Sequence, residues 1–168
     1  MEIKRLDHTR ILMYSHDTFG LGHLRRCRTI AHSIVEQYKG VSILIISGSQ
    51  IAGAFDFKAR VDFVKIPSVI KLYNGEYDSI GEYIDIEEIL QMRKLIIQRT
   101  AEAFNPDIFI VDKEPLGLKK EVLPTLRWIR RCLPHARTIL GLRDIMDDAE
   151  TVRRDWWKKN VYENLDKL

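Results

Sequence analysis

Arg10-Ile11-Leu12-Met13-Tyr14-Ser15 leads directly into His16-Asp17-Thr18-Phe19-Gly20-Leu21-Gly22-His23. A short apolar run closed by turn-forming residues has the character of a buried strand. From His23 to Tyr38 the rhythm changes. Leu24, Cys27, Ala31, Ile34 and Val35 recur at helical spacing, and Gly40 supplies a stop. Val41 to Ser47 (VSILIIS) is nearly continuous in apolar, β-branched residues, as a strand covered on both faces requires. Strands separated by a helix favour parallel pairing through a right-handed crossover.

The alternation continues downstream. Val61 to Ile66 is a weaker strand, interrupted by Asp62 and Lys65 and closed by Pro67, a pattern that suits a sheet edge. Pro67 to Tyr83 is polar and without clear periodicity; it is expected to form a long loop, functional or mobile. Asp85, with Glu88 three residues on, has the form of a helix start with a reciprocal cap. That helix carries Ile86, Ile89, Leu90, Ile97, Ala101 and Phe104 and ends at Asn105-Pro106. Asp107 to Val111 is another buried strand. Val122, Leu126, Ile129 and Leu133 form a helical stripe, and Thr138 to Leu142 a fifth strand. Trp157, Val161, Leu165 and Leu168 share one face of a final helix, with Asp147-Asp148 at its start. Trp156 and Trp157 are expected to pack on the sheet or on a following domain. The expected fold class is α/β, a doubly wound, Rossmann-like parallel sheet with strand order 3-2-1-4-5.

Length and composition narrow the function classes. The 168 residues suit one domain, and 45% hydrophobic with 30% charged residues is the balance of a globular chain with a real core. The net charge of +3 is too mild to imply nucleic acid. No apolar run reaches the roughly 18–20 residues that span a bilayer, and MEIKRLDHTR lacks a signal-peptide apolar region. Cys27 and Cys132 have no metal-ligand spacing; both are expected to be buried free thiols in a reducing cytoplasm.

In a doubly wound sheet ligands bind beyond the C-terminal strand ends, where the strand order reverses. Three polar clusters converge there: His16 to His23, Asp112-Lys113-Glu114, and Arg143-Asp144. Gly20 and Gly22 allow backbone to approach a ligand, and the helix start directs N–H groups at an anion. The loop is neither a P-loop nor a full dinucleotide fingerprint, since the third glycine position falls at Arg25. Arg25, Arg26 and Arg28 crowd the first helical turns, where the macrodipole disfavours cations. An anion or a partner must offset them, unless they form only a solvated face. A diphosphate between the glycine loop and Arg26 would serve. His23 is positioned to remove a proton from a hydroxyl or from water, and His16 is a second candidate. His8, His32 and His135 have no comparable setting.

The stretch from Tyr14 to Cys27, with its Gly22-His23-x-x-Arg26 core, resembles the N-terminus of bacterial GT-B glycosyltransferases. It is most similar to those related to the family-28 N-acetylglucosaminyltransferase of peptidoglycan synthesis, although its glycine loop is shorter. The core is also similar to that of bacterial UDP-sugar hydrolases. The resemblance implies two Rossmann-like domains facing across a cleft, with this chain the acceptor-side half of a molecule about twice as long. It implies hexosyl transfer from a UDP-type nucleotide-sugar to a carbohydrate or lipid-linked acceptor, with no bound cofactor or metal. His23 would be the general base. Gly20, Gly22 and Arg26 would line the diphosphate or acceptor, while His16, Asp112, Lys113, Glu114, Arg143 and Asp144 are substrate-binding by topology. The final helical pattern reaches Leu168 without a terminating Gly or Pro, in keeping with a missing second domain.

Hydrolysis of a UDP-sugar on the same scaffold, and a non-catalytic binding module, stay open as alternatives. Arg127, Arg130 and Arg131 lie opposite the apolar stripe of their helix, either as a solvated face or as a weak peripheral contact with anionic lipid. No aromatic residues are interleaved with them, which argues against nucleic acid. The expected location is the cytoplasm, including the inner face of the membrane.

Overall fold

The computed structural model describes residues 4–17, 21–74, 76–80, 83–142 and 148–165. In chain order the elements are β1 (Lys4–Ser15), α1 (Gly22–Gln37), β2 (Tyr38–Ser47), β3 (Val61–Lys65), β4 (Val69–Lys71) and β5 (Tyr77–Ser79). They continue with α2 (Ile86–Phe104), β6 (Ile108–Asp112), α3 (Leu123–Cys132), β7 (Arg137–Gly141), α4 (Ala149–Lys158) and α5 (Val161–Leu165). Five strands form one parallel sheet in the order β3-β2-β1-β6-β7. Numbered within that sheet, the order is the expected 3-2-1-4-5.

Side chains alternate across a strand, and this chain uses both faces. Ile11 and Met13 of β1, with Val41, Ile43 and Ile45 of β2, meet Leu24, Cys27, Ala31 and Val35 of α1. Leu12 and Tyr14, with Phe109 and Val111 of β6, face the other way onto Ile97 and Ala101 of α2 and Leu126 and Ile129 of α3. The fold is therefore a doubly wound α/β sheet, with helices on both faces. Each fully buried aliphatic side chain contributes about 1.5–3 kcal/mol, which is why the central strands read as unbroken apolar runs. The β3 edge carries exposed Asp62 and Lys65, as its weaker pattern anticipated.

Several expectations are corrected. The segment after Pro67 is not a structureless loop, because β4 and β5 pair as an antiparallel hairpin, Val69 opposite Ser79. Asp85 does begin α2, but its carboxylate accepts from the Glu87 backbone N–H. The terminal helix is two helices, broken where Asn160 takes a left-handed φ of 53°. Trp156 packs against the core while Trp157 is 76% exposed, and Leu168 lies outside the described residues. Cys27 is buried as expected; Cys132 is exposed. Arg127, Arg130 and Arg131 are all exposed, and no described helix is long and apolar enough to cross a membrane.

Candidate active site

β1 and β6 are neighbours, yet the chain leaves them in opposite directions across the sheet, so their C-terminal ends open a crevice. His16 and Asp17 follow β1, Gly22 and His23 begin α1, and Asp112 closes β6. Residues 86 to 89 positions apart in sequence meet here. His23 Nδ1 lies 2.5 Å from Asp112 Oδ2, and the Arg26 guanidinium sits on Asp112 Oδ1. Asp112 is 3% exposed. A carboxylate paired to arginine offers only acceptor oxygens, so the close contact requires Nδ1 of His23 to carry the proton. When the ring is neutral its lone pair then lies on Nε2, the tautomer a general base needs.

Arg26 also reaches the carbonyls of Gly141 and Leu142, each at 3.4 Å, tying α1 to the end of β7. Its charge is thus met within the chain. Arg28 likewise donates to the Asp56 carbonyl at 2.7 Å and lies over the Phe55 ring. These contacts supply partners for two of the three arginines that crowd the start of α1. No acidic residue occupies the first turn of α1, and no side chain among the described residues caps it. A Cβ built on Gly22 would meet nothing within 4 Å, so the first turn opens onto empty space.

His16 is 5% exposed, and its ring meets that of His23 edge-on at 5.8 Å. Burial, with the neighbouring His23 ring and the positive charge of Lys113 and Arg93 beyond it, lowers its pKa to about 3. His16 is therefore a neutral wall of the crevice at physiological pH, suited to hydrogen bonding and steric shaping. The Lys113 N–H donates to the Gly141 carbonyl, and Glu114 accepts from Lys159 Nζ at 2.9 Å. Gly20, Arg143 and Asp144 lie outside the described residues.

Several residues that the motifs did not single out shape the same edge. Asp17 is buried and accepts from the Ser47 hydroxyl at 2.6 Å, while its Oδ1 has no hydrogen-bond partner among the described residues. It lines a cavity of about 290 Å³ with Gly48, Ser49 and Ser68. Below the crevice the Tyr14 hydroxyl donates to Glu121 Oε1 at 2.6 Å and accepts from the Leu118 N–H at 3.2 Å. Arg93 grips Glu121 through two bonds of 2.7 and 2.6 Å, and both side chains are buried. The one sequence signal for this pair is Arg93 itself, an arginine on the apolar stripe between Ile89 and Ile97.

No family model matches the chain, and no curated protein matches it. Among solved structures it is similar to a UGT transferase from Siraitia grosvenorii in complex with UDP, at 12% identity and a TM-score of 0.42. That likeness covers 79% of this chain and 24% of the other. It is also similar to a protein assigned as a UDP-N-acetylglucosamine 2-epimerase from Listeria monocytogenes, at 14% identity and a TM-score of 0.42. Here 82% of this chain and 31% of the other are covered. The chain thus spans about a quarter and about a third of the two proteins. At this distance neither likeness bears on activity.

Proposed function

We propose that this chain is the acceptor-side half of a glycosyltransferase that takes its hexosyl group from a UDP-type nucleotide-sugar. The observation that carries the reading is the 2.5 Å contact between His23 Nδ1 and Asp112 Oδ2 at the crevice between β1 and β6. Asp112 holds the ring orientation and compensates the charge of the imidazolium that forms, while Arg26 holds Asp112. Nε2 of His23 removes the proton of an acceptor hydroxyl. The acceptor oxygen then bonds to the anomeric carbon, and the bond from that carbon to the diphosphate oxygen breaks, with the electron pair leaving on the diphosphate. Such base assistance contributes typically about 10²–10⁴-fold. The start of α1, with Gly22 leaving its first turn open, offers N–H groups towards the substrate. On this reading the donor is held by a second domain of a longer chain, and the resemblance of the Tyr14–Cys27 stretch supports that arrangement.

The test is UDP release from UDP-glucose and UDP-N-acetylglucosamine by the protein encoded by the whole reading frame, with and without a panel of glycan and lipid-linked acceptors. Acceptor-dependent release that falls about 100-fold or more in His23→Ala supports transfer. Asp112→Asn is expected to lower kcat with little change in KM, because it disturbs the tautomer rather than binding. Release without any acceptor, lost in His23→Ala, would assign hydrolysis instead. Full activity in His23→Ala would remove the base from this site altogether.

A further inference from the structure

A second cavity, about 370 Å³, opens beside the crevice. Lys119 and Lys120 reach it from the loop after β6, and Lys158 and Lys159 from the junction of α4 and α5. Two segments far apart in sequence thus bring four lysines to the lining of one hollow. Among the described residues that line it, the single carboxylate is Glu114, which pairs with Lys159 at 2.9 Å. Four cations less one anion leaves an excess of three positive charges, an arrangement that attracts and focuses an anionic ligand.

The lysine loop is also built stiffly. Lys119 and Lys120 hold left-handed backbone at φ 46° and 64°, and Gly117 precedes them at φ 71°. Non-glycine residues adopt this region at a cost, which surrounding structure must offset. The offset is visible below the loop. The Tyr14 hydroxyl accepts from the Leu118 N–H, and Glu121 is clamped by Arg93 in the interior. A rigid platform of this kind favours a binding site, because less freedom is lost when the ligand arrives.

The remaining walls suit an organic phosphate rather than a bare ion. Tyr77 presents its ring, with Lys119 Nζ 5.9 Å from the centroid, and Leu116, Leu118 and Val161 contribute apolar surface. His16 closes the side nearest the crevice, and its ring centre is 5.8 Å from that of His23. One imidazole therefore separates the lysines from the candidate base. Arg26, the other cation of the crevice, is already committed to Asp112.

We propose that this pocket is a phosphate-ester subsite, in which Lys119, Lys120, Lys158 and Lys159 bind the phosphate or diphosphate of a substrate. Its assignment to the acceptor, whose hydroxyl is thereby presented to His23, rests on the transfer reading above; the anion site itself does not.

The experiment measures binding of inorganic pyrophosphate to this chain by calorimetry, without turnover, at about 150 mM salt where long-range attraction is screened. Saturable binding is expected. The Lys120→Ala/Lys158→Ala double variant is expected to weaken it about tenfold or more, since each loses a charge-assisted contact. Arg130→Ala, which removes an exposed cation on α3, is expected to leave it unchanged. Absence of binding, equal binding by the double variant, or an equal loss in Arg130→Ala would each overturn the proposal. Competition by glucose 1-phosphate identifies a soluble sugar phosphate as the occupant, and competition by a prenyl diphosphate in micelles identifies a lipid-linked one. Competition by neither overturns the phosphate-ester assignment. Pyrophosphate binding with no UDP-sugar turnover by the whole reading frame would leave the subsite standing and sink the transferase reading.

Discussion

A guanidinium taken out of water costs several kcal/mol unless its charge and its donors are both met. Arg93, fully buried in α2, meets these demands through Glu121 and through the Pro67 carbonyl, to which it donates at 2.5 Å. Burial, with the adjacent Glu121 carboxylate, pushes the Tyr14 phenol well above the ordinary tyrosine range, so Tyr14 remains a donor to Glu121 at physiological pH. The three side chains form a closed polar unit inside an apolar layer. Glu121→Ala, which leaves Arg93 buried and unpaired, is expected to destabilise the fold by about 3–5 kcal/mol. Arg93→Met combined with Glu121→Ala is expected to recover part of that loss. Urea unfolding midpoints at constant slope check both, and a single-variant loss below about 1 kcal/mol would show that the pair is not compensating a buried charge. The sequence displays Arg93 as an intruder on an apolar stripe but cannot reveal its partner, because Glu121 lies 28 positions away in an irregular segment.

Elements were legible where their periodicity was strong. The central strands are covered on both faces, so RILMYS, VSILIIS and DIFIV show as apolar blocks, and α1, α2 and α3 show as stripes between them. Elements with weaker signals escaped. β4 and β5 are three residues each, too short for alternation to emerge from a polar segment. The break between α4 and α5 falls at Asn160, with neither Gly nor Pro to mark it. The Leu118–Lys120 turn is of the same kind, since its left-handed lysines carry no sequence signature. Only Gly117 betrays that turn. Its φ of 71° suits glycine, and a Cβ there would lie 2.4 Å from Val122 Cγ2. Gly117→Ala is therefore expected to cost about 1–3 kcal/mol in thermal or urea unfolding. It is also expected to loosen pyrophosphate binding in the lysine pocket, although it removes no charge. Unchanged stability in that variant would show that the loop accommodates a side chain, and that its geometry is not held as described.

At the scale of the molecule, the crevice was legible because topology, not local pattern, determines it. In a doubly wound sheet of order 3-2-1-4-5 the ends of β1 and β6 adjoin, and His23 and Asp112 meet there although 89 positions apart in sequence. The lysine pocket was not legible, because it depends on where the α4–α5 junction lands. His16 stands between the two and couples the site to the stability of the whole fold. Its pKa is lowered to about 3 by burial and then by neighbouring positive charge, against an ordinary value of 6.5. Between those values the unfolded chain binds a proton at His16 that the folded chain does not, so stability rises with pH across this window. Above pH 6.5 the ring is neutral in both states, and the contribution is flat. Acidification to about pH 5.5 is expected to remove about 1.4 kcal/mol through His16 alone, and further acid removes more until about pH 3. Unfolding free energies of wild type and His16→Asn, measured between about pH 7.5 and 5, isolate the effect as a difference in slope. The variant starts from its own stability at neutral pH but should lose less on acidification. Parallel curves would mean that His16 takes up a proton in the folded state, and that the wall between the lysine pocket and His23 carries a charge.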